Sequence, residues 1–126
     1  MFKRMFRFKG RARRKEYWLA TLANLLVDVA LYAAMYISFL FAVSDTGENG
    51  LWIAPVIAFV YLAYAIVSAI AMLALEIRRL HDTGRAWHAI FVTLIPLVGQ
   101  YLLIWYMIED SQIGANEYGP NPKGLE

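Results

Sequence analysis

The sequence contains no cysteine and only two histidines. Without thiols there are no disulfides, no thiolate metal sites and no cysteine nucleophile. Charge is scarce too. Asp, Glu, Lys and Arg make up 17% of the 126 residues, against about 25% in ordinary soluble domains. Hydrophobic residues reach 60%, where soluble domains hold roughly 45–50%, and mean hydropathy is positive. A soluble domain this small has a large surface for its volume, and so few polar side chains cannot cover it. Soluble globular, disordered and fibrous classes are poor fits. The expected fold class is an all-α integral membrane protein, with residues 1–126 as one membrane domain.

The charge that is present is unevenly placed. Residues 1–18 hold Lys3, Arg4, Arg7, Lys9, Arg11, Arg13, Arg14 and Lys15 against Glu16 alone, a net +7 in a chain whose total is +2, leaving −5 for the remainder. The other basic residues are Arg78, Arg79, Arg85 and Lys123. Between these clusters lie three apolar stretches, about 17–43, 51–75 and 87–108. Each meets the ~20 residues needed to cross a ~30 Å hydrocarbon core. A polar turn at 44–50, a charged loop at 76–85 and a polar tail at 109–126 separate and follow them. The expectation is three transmembrane helices behind a short basic N-terminal interfacial segment. The first apolar run exceeds the roughly 7–15-residue core of a cleaved signal peptide, so it is read as a retained anchor.

Orientation follows from Lys and Arg in the short loops. Eleven of the twelve basic residues fall at the N-terminus or in the second loop, and one in the tail. With three crossings the N-terminus is cytoplasmic and the C-terminus periplasmic. Pro96 and Gly99 mark where the third span would break. A re-entrant third segment would instead return the tail to the cytoplasm.

Polar residues inside the spans are few. Tyr17, Thr21, Asn24, Asp28 and Tyr32 fall within an arc of about 80° on a helix. An intramembrane carboxylate is costly and faces protein or water. Asp28 is either a proton or cation site or a protonated packing residue, since burial raises a carboxyl pKa. Candidate partners are Tyr64, Ser68 and Gln100, so Asn24, Asp28, Tyr64 and Gln100 form a candidate intramembrane polar site. Ala54, Ala58, Ala65 and Ala69 share a small-residue face suited to intrachain packing or self-association. The aromatics Tyr17, Trp18, Trp52, Trp87, Tyr101, Trp105 and Tyr106 suit interfacial anchoring. Phe2 to Lys9 interleaves apolar and cationic side chains and fits an anionic leaflet, so no nucleic-acid partner is expected.

The densest cluster of chemically capable side chains is Glu76-Ile77-Arg78-Arg79-Leu80-His81-Asp82-Thr83-Gly84-Arg85-Ala86-Trp87-His88. Its run Arg78 to Arg85 resembles a signature of the bacterial domain-of-unknown-function 805 family, the YhaH-like small inner-membrane proteins. Phe8-Lys9-Gly10-Arg11-Ala12-Arg13-Arg14-Lys15-Glu16-Tyr17-Trp18 looks like that family's N-terminal motif. Ile95-Pro96-Leu97-Val98-Gly99, followed by Gly114-Ala115-Asn116-Glu117-Tyr118-Gly119-Pro120-Asn121-Pro122, looks like its closing motifs. Ala86 before Trp87 is a small departure. The resemblance covers essentially the whole chain and implies a multi-pass protein of the bacterial inner membrane. It supplies no reaction.

Residue roles therefore rest on physical chemistry. Arg11, Arg14, Arg78, Arg79, His81, Asp82 and Arg85 are the candidate lipid- or partner-binding residues, because guanidinium groups bond phosphate in a bidentate fashion. Asp82 would alternatively cap the third span or pair with Arg11 or Arg14. No catalytic residue, metal site or cofactor is expected. The leading expectation is a non-enzymatic membrane protein whose cytoplasmic arginines engage anionic head groups or a partner membrane protein, with self-association an option. Two other readings stand beside it: a small proton-conducting or transport oligomer using Asp28, and a lipid-phosphate enzyme using His81 and Asp82.

Overall fold

The structure is a computed structural model that describes residues 6–44 and 50–124. Most of the polar turn expected at 44–50 and the first five residues of the basic segment lie outside the described residues. The described elements are α1 (Arg14–Ser44), α2 (Gly50–Asp82), a 3₁₀ helix η1 (Trp87–Leu94) and α3 (Val98–Ile108). Contacts divide the chain into two units: Met1–Ala20 with Ile70–Glu126, and Thr21–Ala69.

The Thr21–Ala69 unit is a pair of helical segments. The half-buried positions of α1 in this unit are Thr21, Asn24, Asp28, Leu31, Met35, Ser38 and Ala42, and those of α2 include Ala54, Ile57, Tyr61, Tyr64 and Ser68. These alternate three- and four-residue steps are the seam of two helices packed along their length. The Tyr64 hydroxyl meets Asn24, and the Tyr32 and Tyr61 rings meet edge-on at 6.0 Å, so the segments run antiparallel. Leu22, Leu25, Leu26, Phe59, Leu62 and Ile66 cover the outward faces. The expected alanine face is split: Ala54 and Ala65 are half-buried, while Ala58 and Ala69 are exposed. Tyrosine and serine carry the seam instead.

In the other unit the first correction concerns the charged loop. Residues 76–82 are not a loop but the last two turns of α2. The apolar run ends at Leu75, yet nothing from Glu76 to Asp82 breaks a helix. The stop comes at Gly84, whose φ of +77° suits glycine. The Gly84 amide bonds the His81 carbonyl at 3.1 Å and the Arg85 amide bonds the Leu80 carbonyl at 2.9 Å. That is the paired closure of a glycine-terminated helix.

The second correction concerns the third span. Residues 87–108 do not form one crossing helix. The 3₁₀ helix gives way at Ile95-Pro96-Leu97 to α3, and the two pieces lie against one another. Pro96 has no amide to continue the ladder, and Leu97 sits at a positive φ of +65°. A Cβ on Gly99 would lie 1.9 Å from the Val92 carbonyl oxygen, so glycine is what lets the pieces touch. With 11 residues, α3 is about 16 Å long, half of a ~30 Å core. Both ends of this hairpin are tied together, since Arg85 pairs with Glu109 and Arg79 bonds the Met107 carbonyl.

The third correction follows. Tail residues 109–124 return to the N-terminal motif rather than lying across a membrane from it. Arg11 bonds the Gly114 carbonyl at 2.7 Å and Arg14 pairs with Asp110 at 3.2 Å. The expectation of a tail separated from the N-terminal motif does not match these contacts, which hold the two in one unit. A small core of Ala12, Tyr17, Leu75, Leu80 and Met107 holds this unit, with Met72, Ala89, Ile90 and Leu103 packed against it.

Candidate functional site

Asp82 is the last residue of α2, where a carboxylate is disfavoured by the negative end of the helix dipole. It is also fully buried. Both conditions demand cations. Its Oδ1 accepts from Arg11 Nε at 2.9 Å, and its Oδ2 accepts from Arg79 Nη1 at 2.6 Å and from the Ser111 hydroxyl. Arg79 reaches it from one turn back on the same helix, Arg11 from the N-terminal motif, and Ser111 from the tail.

The rest of each guanidinium is spent on backbone carbonyls. Arg11 donates to Gly114 at 2.7 Å, to Gln112 at 2.6 Å and to the Asp82 carbonyl at 3.3 Å. Arg79 donates to Met107 at 3.4 Å and to Glu109. Side-chain amides complete the knot: Asn116 Nδ2 bonds the His81 carbonyl at 2.9 Å, and Asn121 Nδ2 bonds the Gln112 carbonyl at 3.2 Å. No buried side-chain polar atom among the described residues is left without a partner. This is the condition under which a buried ionic network is tolerated at all.

Around this knot the ion pairs are exposed. Arg14 pairs with Asp110 and Arg85 with Glu109, while the Arg85 guanidinium lies 4.1 Å over the Tyr106 ring. Arg13 bonds the Pro122 carbonyl, and Lys123 pairs with Asp110. The Lys123 pairing holds the Asp110 carboxyl below the usual carboxylate range. Beside the knot opens a cleft of about 310 Å³ lined by Arg7, Lys9, Gly10, Arg11, Arg78 and Tyr118, closed by 119–122. Among the described residues no carboxylate lines it.

His81 and Asp82 are successive residues on a regular helix and point to different partners. The His81 ring stacks on Tyr118, with centroids 4.0 Å apart and planes 3° from parallel, and its Nδ1 donates to the Gly10 carbonyl at 3.2 Å. Gly10 presents that carbonyl from a positive φ of +97°. Burial pushes the His81 pKa below its usual value, outweighing the Gly10 bond and the nearby Glu117 charge, which raise it. A histidine depressed in the folded state is neutral there, so stability is full above about pH 6.5 and falls as the unfolded state takes up protons below it. Thermal unfolding of the detergent-solubilised protein is expected to show a midpoint that drops from pH 7 to pH 5. In His81→Gln that drop should be visibly smaller. An equal drop in both would assign the titration to a group other than His81.

The intramembrane candidates part company. In the Thr21–Ala69 unit, Tyr64 Oη donates to Asn24 Oδ1 and Asn24 Nδ2 donates to Asp28 Oδ2, each at 2.8 Å. Ser68 bonds its own helix at Ala65. Gln100 belongs to the other unit and donates to the Thr93 carbonyl at 3.4 Å.

Of the seven candidates for lipid or partner binding, Arg11, Arg79, His81 and Asp82 face inward on partners within the chain. Asp82 does not cap η1, whose preceding residue Ala86 makes no side-chain cap. It pairs with Arg11, while Arg14 pairs with Asp110. Sequence reasoning missed Ser111, Gln112, Asn116 and Asn121 as members of the knot. The available signal was the spacing of glycines and asparagines in the tail, which suits tight turns and amide donors rather than solvated coil. No group of three or more potential metal ligands occurs among the described residues.

Comparison with known proteins matches residues 5–120 to the family model described as protein of unknown function, DUF805. The inner membrane protein YhaI of Escherichia coli K12 is 33% identical over 118 residues, covering 92% of this chain and 86% of that one. The inner membrane protein YhaH of the same organism is 33% identical over 117 residues, covering 92% and 87%. No solved structure matches.

Proposed function

This chain belongs to the DUF805 family, and from that premise we propose that it is a non-enzymatic protein of the bacterial inner membrane whose cytoplasmic polar head binds anionic lipid head groups. The membrane placement is supported by the names of the relatives and by two helices, Arg14–Ser44 and Trp52–Asp82, long and apolar enough to cross. The cytoplasmic orientation of the head is supported by the excess of Lys and Arg on it. With the tail folded onto that head, both ends of the chain lie in the cytoplasm.

One observation carries the lipid reading: the cleft lined by Arg7, Lys9 and Arg78, with no carboxylate among the described residues that line it. Buried Arg11 and Arg79 are committed to Asp82, and buried Arg78 donates its Nε to the Ala74 carbonyl at 3.3 Å, so the outer cations present the charge. Arg7 and Lys9 are exposed. They sit where a phosphate-bearing head group would reach them, while the knot behind fixes their backbone. Basic residues near an anionic leaflet contribute about 1 kcal/mol each. Arg7→Gln/Lys9→Gln is thus expected to weaken retention of phosphatidylglycerol over phosphatidylethanolamine by about 30-fold, the equivalent of about 2 kcal/mol. Native mass spectrometry from mixed-lipid nanodiscs reads this directly. Unchanged retention would remove the proposal, and the fold is not at risk because neither side chain is buried.

Asp28, whose bonding to Asn24 sits on a helix seam, reads as a packing residue. His81 and Asp82, turned to separate partners, read as parts of the scaffold.

A further inference from the structure

We propose that residues 86–108 form a re-entrant hairpin seated in the acyl chains of the leaflet that carries the polar head. Its tip, Ile95-Pro96-Leu97, reaches no deeper than the bilayer midplane. The chain then crosses the membrane twice and enters it a third time without crossing.

Four observations place hydrocarbon, rather than water or protein, around the hairpin. The first is composition: from Ala86 to Ile108 there is no Asp, Glu, Lys or Arg, whereas Arg85 and Glu109 stand at its two ends and pair with each other. The charge boundary and the structural base coincide, and the basic face at the base complements anionic head groups of the same leaflet. The second is backbone accounting. In lipid every amide needs an internal partner. Three of the four amides at the tip have one: Ile95 bonds the Val92 carbonyl at 3.0 Å, Val98 that of Pro96 at 2.7 Å and Gly99 that of Ile95 at 2.9 Å, while Pro96 has no amide to satisfy.

The third concerns the polar side chains near the tip, which spend hydrogen bonds on backbone carbonyls of the hairpin itself. Thr93 Oγ1 bonds the Ile90 carbonyl at 2.8 Å, and Gln100 bonds the Thr93 carbonyl. The fourth is surface. Leu94 is 76% exposed and Leu97 80% exposed, at the end farthest from the charged base, while Trp87 and Trp105 lie toward the base at interfacial depth. The hairpin also packs beside a helix that crosses, through Ala89, Ile90 and Leu103 against the Leu75–Leu80 core, instead of projecting away from it. Its length of about 16 Å matches half a ~30 Å core. The inference rests on the membrane placement of the chain and not on the cationic cleft, so the two readings fail separately.

The absence of native cysteine makes the test direct. Leu97→Cys carries a bimane fluorophore in reconstituted vesicles, with Ile113→Cys in the exposed tail as the aqueous reference. The expected result is strong quenching at position 97 by lipids brominated on their acyl chains and none by iodide on either side of the membrane, with the reverse at position 113. Iodide quenching at position 97 from either side would overturn the proposal, because the tip would then be in water on one face or the other. Protection from both quenchers would also overturn it, because protein would then cover the tip. Leu94→Cys supplies the same readout if Leu97→Cys does not reconstitute.

Discussion

Asp82→Ala is expected to destabilise the protein by about 3–5 kcal/mol, the range for removing one side of a buried ion pair. That is a large fraction of the total stability of a small domain. The size comes from what is left behind. Arg11 and Arg79 share the carboxylate, and both side chains are essentially sealed from solvent. Without Asp82, two guanidiniums remain buried with only neutral carbonyls to face, and Ser111 loses its acceptor. The protein should fail to accumulate in the membrane or unfold in detergent well below the wild type. Asp82→Asn, which keeps volume and one acceptor oxygen, should fall between. Arg14→Ala removes an exposed pair with Asp110 and should cost no more than about 1 kcal/mol. Thermal unfolding of the three variants in one detergent gives the ranking. Equal midpoints for Asp82→Ala and Arg14→Ala would mean that the knot does not hold the head together.

The second large effect is at Gly99. Helix propensity alone favours alanine over glycine by about 1 kcal/mol in α3. The structure reverses the sign. A Cβ there would lie 1.9 Å from the Val92 oxygen, 2.8 Å from its carbonyl carbon and 2.9 Å from Thr93 Cα. All three are backbone atoms, so no side-chain rotation relieves the clash. Gly99→Ala must push η1 and α3 apart, at a cost of about 3 kcal/mol. It should open the hairpin to limited proteolysis between Leu94 and Val98 in detergent while the α1–α2 pair stays protected. A gain in midpoint instead would mean that the two pieces do not touch.

Much of the fold was legible because membrane insertion depends on composition over some twenty residues, which needs no tertiary information. α1 appears within three residues of the apolar run that predicted it, and α2 begins with its run but continues to Asp82. The polar stripe Thr21, Asn24, Asp28 did become the helix seam, since polar groups in hydrocarbon face another helix. The third segment misled for the same reason that the first two did not. Its 22 residues, free of Asp, Glu, Lys and Arg, satisfy a length rule that cannot see where a chain turns back. Pro96 and Gly99 carried the information, but only the close approach to Val92 gives Gly99 its meaning. The site was legible as a list of residues and not as a geometry. Asp82 meets Arg11 across a separation of 71 positions, which no local pattern encodes. The assignment of the arginines to lipid failed to anticipate a tail that would supply carbonyls to them.

That sequence separation has a consequence in time. Arg11 finds acceptors at Asp82, Gln112 and Gly114, up to 103 residues farther along the chain. At ordinary synthesis rates of about 5–20 residues per second, the first arginine of the knot waits on the order of ten seconds for its last partners. During that interval α1 and α2 are made, while Arg11 remains a solvated cation without its later partners. The positive charge that sets orientation during insertion is therefore fully available when it is needed, and part of it is withdrawn into the interior only afterwards. One side chain serves first as a topological signal and later as a structural rivet, and the order in which the chain is made keeps the two uses from competing.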